Sequence, residues 1–201
     1  MSTAPIRRLT EAEYLAIERQ AETRSDFYDG EMYSMAGAKR QHNLIVANII
    51  RELSEQLRKG PCEVYPSDMR VKVGKTGLYT YPDIVAVCGE PKFLDDEDDT
   101  LLNPTLLIEV LSDSTANYVR SFKSRRYRKL PSLRQYVIID QAEPLVEVYS
   151  CSAEGEWSLK DAIKLTQSVV LKSIRCKLSL AAIYEKVKFP AKPEGPNPGP
   201  R

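Results

Sequence analysis

The chain contains a single histidine, His42. That excludes metal sites built on two imidazoles and leaves few ways to assemble a nucleophilic triad. Its four cysteines, Cys62, Cys88, Cys151 and Cys176, are widely scattered. They form neither the C-x-x-C pairs of a zinc site nor the density of a disulfide scaffold. Free thiols in a reducing compartment are the simplest reading, and the expected location is cytoplasmic. No apolar run approaches the roughly 18 residues a membrane span needs. Residues 1–9 carry two arginines and no apolar core, so no signal peptide is expected. The formal net charge is +1, so any basic surface must be local. There are no internal repeats.

What remains is a globular composition, 42% hydrophobic and 28% charged over 201 residues, enough for one domain with a full core. Thr10, with Glu13 three residues on, is a capping box and predicts a short helix to about residue 20. Residues 27–33 read as a hairpin pivoting on Asp29-Gly30. Residues 41–58 hold a helical period with His42, Val46, Ile49, Ile50, Leu53 and Leu57 on one face, and Gly60-Pro61 ends that helix. Residues 62–65 and 69–73 are strand-like, and a Gly-Lys-Thr-Gly turn follows at 74–77. The five consecutive carboxylates at 95–99 predict a solvated loop. Beyond them come a turn at 112–115, a helix at 117–130 closed by Pro131, and strands at 135–139 and 146–149. Weaker strand runs lie near Trp157 and Val169, and 179–184 reads as a last helical turn. Five prolines and no apolar cluster after Phe189 make 189–201 a disordered tail behind a domain spanning 1–188. This order of elements predicts an α/β fold with a mixed sheet.

Two short apolar runs, 81–87 and 106–111, read as buried strands. Each holds one carboxylate, Asp83 and Glu109, where packing alone would place an aliphatic. An ionised carboxylate there is costly unless a cation compensates it. Two of them on neighbouring strands can share one divalent ion of the Mg²⁺ type, which prefers oxygen ligands. Taken singly, Asp83 also fits a strand-start cap after Pro82, and Glu109 a buried ion pair with an arginine.

On the 117–130 helix, Lys123 has Val119 and Tyr127 four residues to either side and Leu130 seven beyond. It therefore sits at the centre of the stripe that should face the sheet, needing a partner or a task unless its ammonium snorkels to water. From 114 to 139 there are seven Lys or Arg residues and no Asp or Glu. Arg125 and Arg128 point away from the stripe, and Arg120 and Arg126 border it. Arg120, Arg125, Arg126, Arg128 and Lys129 are thus candidate nucleic-acid contacts, with a solvated face as the plain alternative. Glu31 is a candidate auxiliary ligand or base, or a merely exposed hairpin acid. His42 is either a core histidine or a supporting group beside the carboxylates.

Pro82-Asp83 and, 26 positions on, Glu109-Val110 resemble the active-site signature of the PD-(D/E)XK nuclease superfamily. Further stretches join them: Gly30-Glu31, His42, Tyr81-Pro82-Asp83, and Ile108-Glu109-Val110-Leu111-Ser112 leading to Ser114-Thr115. With Lys123, Tyr127 and the strand at 136–140, residues 10–185 resemble the Uma-two family of restriction-endonuclease-like proteins. The resemblance implies a restriction-endonuclease-like core, a mixed sheet flanked by helices, and Mg²⁺- or Mn²⁺-dependent endonucleolytic cleavage of DNA. It implies Asp83 and Glu109 as metal ligands, joined by the Val110 carbonyl, and a homodimer that cuts two strands with two subunits. The superfamily lysine usually lies two residues after the acid, where this chain has Leu111. Lys123 matches the family's displaced lysine, and Val119 stands where the family often has an aspartate. Two other classes stay open: a nucleic-acid-binding or oligomeric module that keeps the nuclease fold without catalysis, and a carboxylate-pair glycosidase. The glycosidase does not account for the lysine stripe.

Overall fold

The computed structural model describes residues 7–190 apart from 36, 75, 76, 113 and 114. α1 (Glu11–Glu18) starts as the capping box dictates: Thr10 Oγ1 accepts the Glu13 N–H, and the Glu13 carboxylate accepts the Thr10 N–H. β1 (Ser25–Tyr28) and β2 (Glu31–Ser34) pair antiparallel about Asp29 and Gly30, whose φ angles are 52° and 81°. Two positive φ values in succession match the twist of the flanking strands. A Cβ on Gly30 would also meet the Arg8 Cβ at 2.4 Å.

α2 (Arg40–Leu57) buries Ile45, Ile49, Leu53 and Leu57, each contributing roughly 1.5–3 kcal/mol by leaving water. Val46 and Ile50, expected on that face, are partly buried and pack against the same cluster. The remaining strands are β3 (Cys62–Pro66), β4 (Arg70–Val73), β5 (Leu78–Thr80), β6 (Ile84–Cys88), β7 (Thr100–Leu101), β8 (Leu106–Leu111), β9 (Gln135–Asp140), β10 (Val146–Cys151), β11 (Trp157–Ala162), β12 (Ser168–Leu171) and β13 (Cys176–Ser179). A π-helical segment, Tyr118–Lys123, runs into α3 (Ser124–Tyr127), and α4 (Leu180–Ile183) is the last helical turn.

The strands form a six-stranded sheet, β11-β10-β9-β8-β6-β3, a five-stranded sheet, β2-β1-β5-β4-β7, and the β12–β13 hairpin. Both large sheets are mixed, because β8–β9 and β4–β7 pair in parallel. Side-chain alternation divides the six-stranded sheet cleanly. Ile84, Ala86, Leu106, Ile108, Val110, Val137 and Ile139 face α2 and the C-terminal hairpin. Val85, Val87, Leu107, Leu111, Tyr136 and Ile138 face Val71, Val73, Leu78 and Leu101 of the second sheet, with Val119 and Tyr127. The parallel β8–β9 pair requires a crossover, and the crossover is the π-helical segment with α3. That connection lays its helix on the face to which Glu109 points. The architecture is the expected mixed α/β sheet flanked by helices.

Two expectations are corrected and one is refined. Cys62 and Cys88 are not free thiols: they are directly paired across antiparallel β3 and β6 and form a disulfide. This removes the thiol argument for a cytoplasmic location, although no helix among the described residues is long and apolar enough to cross a membrane. The acidic run is the expected loop and is exposed over 95–98, but Arg19 binds both Asp95 and Asp99 at 2.8 Å and the buried Arg70 binds Asp99 at 2.6 Å. The 117–130 helix is not regular α: the Ser124 N–H reaches the Val119 carbonyl, a π turn. Phe189 packs edge-on against Tyr184. Residues 191–201 of the Pro-rich segment lie outside the described residues, as do the turn residues 75, 76, 113 and 114.

Candidate functional site

Asp83 sits one residue before β6. The β6–β8 register pairs Ile84 with Ile108, so Asp83 stands directly across from Glu109. Its Oδ2 accepts the N–H of Val110 at 2.7 Å, and its Oδ1 lies 3.1 Å from His42 Nε2. Asp83 thus ties the entry of one strand to the next while keeping its carboxylate at the edge of the sheet. Glu109 lies mid-strand in β8 on the face shared with Leu107 and Leu111, 4% exposed. Its Oε1 accepts from Tyr127 Oη at 2.6 Å and from Lys123 Nζ at 3.1 Å. The helical stripe read from the sequence is therefore the buried one: Val119, Lys123, Tyr127 and Leu130 all face inward. Lys123 does not snorkel, being only 4% exposed.

The residue that sequence reasoning missed is Asp26. It comes from β1 of the other sheet, is buried, and lies 3.6 Å from Lys123 Nζ. It accepts the Tyr81 N–H and the Tyr118 hydroxyl, each at 3.3 Å. The sequence carried no clear signal for it, because an acid alternating with the apolar Phe27 also fits a half-exposed strand. Glu31, chosen instead, lies on the same face of the hairpin but is exposed and accepts the Tyr33 hydroxyl. It does not touch Asp83, Glu109 or Lys123 in any hydrogen bond or ion pair of the described residues. His42 is brought to the site, on the α2 side of the sheet, and its Nδ1 is buried without a hydrogen-bond partner.

Charge at this site is unbalanced: Asp26 and Glu109 flank the Lys123 ammonium, and Asp83 stands across the strand pair from Glu109, beside His42. Burial is the largest influence and pushes the Glu109 pKa up; Lys123 and the Tyr127 hydroxyl oppose this, while Asp83 and Asp26 add to it. Burial disfavours the Lys123 ammonium, yet Glu109 and Asp26 hold its pKa above the ordinary value, so it stays a cation. Burial likewise lowers His42, but Asp83, Glu109 and the Val110 backbone raise it further than burial lowers it. Crowded carboxylates of this kind are relieved by added positive charge or by a shared proton. The donor chemistry is hard oxygen, which fits Mg²⁺ or Mn²⁺. Among the described residues no three His, Cys, Asp or Glu side chains are grouped to hold a metal ion. Such an ion would therefore rest on two carboxylates and a carbonyl, with water completing its shell, the usual habit of Mg²⁺.

The basic residues divide. Arg120 pairs with Glu147, and the Arg126 guanidinium lies over the rings of Phe122 (3.4 Å) and Tyr28 (4.2 Å). Arg128 donates to the Ser124 carbonyl at 3.2 Å. Arg125, Arg128 and Lys129 are exposed on the outer face. Only part of the basic set is therefore uncommitted. Leu111 and Val119, the two departures from the nuclease pattern, are packed in the apolar cluster between the sheets. The ammonium reaches Glu109 from the crossover helix instead.

Residues 11–182 match the family described as Uma2, putative restriction endonuclease. The chain belongs to this family. The chain is also similar to two curated proteins of Synechocystis sp., both described as uncharacterized. The protein sll1609 is 37% identical over 161 residues, 80% of this chain and 91% of its own length. The protein slr1290 is 29% identical over 189 residues, 93% of this chain and 97% of its own length. The fold is also that of a solved structure, described as a putative nuclease belonging to DUF820 from Anabaena variabilis. It superposes with a TM-score of 0.70 at 16% identity, covering 86% of this chain and 96% of that one.

Proposed function

We propose that this Uma2 protein is a divalent-metal-dependent endonuclease that hydrolyses phosphodiester bonds in DNA. The observation that supports the reading is the buried Lys123 ammonium 3.1 Å from Glu109 and 3.6 Å from Asp26, with Asp83 across the strand pair from Glu109. Asp83, Glu109 and the Val110 carbonyl would hold Mg²⁺ or Mn²⁺. When bound, the ion supplies Lewis-acid polarisation of the scissile phosphate. Lys123, anchored by Glu109 and Asp26, presents a fixed ammonium to charge developing on the phosphoryl oxygens. Tyr127, buried and kept neutral, donates to Glu109 and fixes its orientation. His42 orients Asp83 from the opposite side of the sheet. Arg125, Arg128 and Lys129 offer phosphate contacts flanking the cleft. A homodimer would place two such clefts on the two strands.

Incubation of purified protein with plasmid DNA and Mg²⁺ or Mn²⁺ tests the reading. Nicking or linearisation that disappears in Glu109→Gln supports it. Equal cleavage by the variant would refute it. The second reading, a fold that binds nucleic acid or a second copy without cutting, draws on Val119 and on the lack of a three-ligand cluster among the described residues. DNA binding unchanged by metal and by Asp83→Ala would favour it.

A further inference from the structure

The wall of the cleft is aromatic, and the nuclease reading uses none of it. Tyr118 hydrogen-bonds Asp26, and its ring lies 5.8 Å from Lys123 Nζ. The same ring stacks on Phe122 with centroids 5.0 Å apart at 19°. Phe122 meets Tyr28 edge-on at 5.0 Å. The Arg126 guanidinium then closes over both Phe122 and Tyr28. Tyr33 stands opposite Asp26 in the hairpin register, so its ring projects from the same face; it is 48% exposed, and its hydroxyl is tied to Glu31. A chain of half-buried rings and one guanidinium thus leads outward from the acid–lysine centre. Tyr28 and Phe122 also pack against the apolar cluster between the sheets, whereas the Tyr33 ring is open to solvent, so Tyr33, the half-buried Tyr118 and the outer side of the Arg126 guanidinium are the faces left for a ligand.

We propose that this rim receives unstacked nucleobases, so that the strand cut by the cleft is single-stranded or locally opened DNA. Every base has a π face, so stacking of this kind holds a strand without reading its sequence. Tyr33 and Arg126 form the outer edge of the platform, and Tyr118 positions the strand nearest Lys123. The inference rests on the nuclease reading for its substrate, but its test does not depend on cleavage.

The experiment is fluorescence anisotropy with the full chain in chelator, using a labelled 20-nucleotide single strand, the same sequence as a blunt duplex, and the single strand with consecutive abasic positions. The single strand should bind at least about tenfold more tightly than the duplex, and the abasic strand should lose about that factor. Tyr33→Ala, at an exposed position, should weaken single-strand binding about fivefold or more, and Tyr33→Phe should restore it. Equal or tighter duplex binding, an abasic strand bound as well as the intact one, or an indifferent Tyr33→Ala would each overturn the proposal. Plasmid cleavage beside failed single-strand preference leaves the nuclease standing and removes this inference. Single-strand preference without any metal-dependent cutting does the reverse.

Discussion

The molecule buries charge in two places, on either side of the same hairpin, and treats it differently in each. Behind α1, Arg70 is 2% exposed and every guanidinium nitrogen is used: Nε donates to Thr100, Nη1 to the Tyr81 hydroxyl and Nη2 to Asp99. Asp99 also takes Arg19, and Glu18 takes the Ser25 N–H and the Tyr81 hydroxyl. Acids and bases there nearly balance. In front, Asp26 and Glu109 share one ammonium, Asp83 stands across the strand pair from Glu109, and Glu109 is driven towards neutrality. A balanced network specifies how α1 docks on the sheet. An unbalanced one is relieved by added positive charge or by a shared proton, and the function proposed above assigns that relief to a divalent ion.

That contrast can be broken most forcibly from the balanced side. Asp99→Ala strips Arg70 of its carboxylate and should cost about 3–5 kcal/mol in urea unfolding, with the cleavage rate of the folded protein unchanged. On the unbalanced side the expectation reverses. Glu109→Gln should lower cleavage about 10²–10³-fold yet leave unfolding free energy unchanged or higher, because it removes one crowded charge. A loss of several kcal/mol there would make Glu109 a structural ion-pair member like Asp99. Next in size is the scaffold between the two regions. Reducing the Cys62–Cys88 bridge, which closes a separation of 26 residues, should lower stability by about 2–4 kcal/mol without altering the cleavage rate at 25 °C.

The smallest effect is in pH. Burial alone would raise Asp99, but its hydrogen bonds from Arg19, Thr100 and Arg70 hold it well below the ordinary carboxylate range. A depressed folded-state pKa means that its contribution is complete above the unfolded value and is lost as pH falls through and below it. Urea midpoints of wild type should therefore fall from about pH 5 downward more steeply than those of Asp99→Asn. Parallel curves would detach Asp99 from the network.

How much of this was legible beforehand follows from what each feature depends on. The Thr10 cap, the Asp29-Gly30 turn and the Lys123 stripe depend on residues within a few positions of one another, and spacing revealed them. Asp83 and Glu109 stood out because a carboxylate interrupts an aliphatic strand. Asp26 did not, because its burial depends on the second sheet closing over the crossover helix. Arg70–Asp99 and Cys62–Cys88 are hidden for the same reason: register between distant strands brings them together, and the acidic run looked like solvent-facing charge. The short strands β5 and β7 carry too few residues to show a period. The π turn needs the 124-to-119 hydrogen bond, which leaves no mark in composition.

The central claim, that surplus acid at Asp83 and Glu109 is there to receive a divalent ion, is tested most directly by isothermal titration calorimetry with Mn²⁺ on wild type and Asp83→Asn. A saturable heat of binding in the wild type that vanishes in the variant is the predicted result. Identical isotherms for the two proteins, or no heat from either, would contradict it.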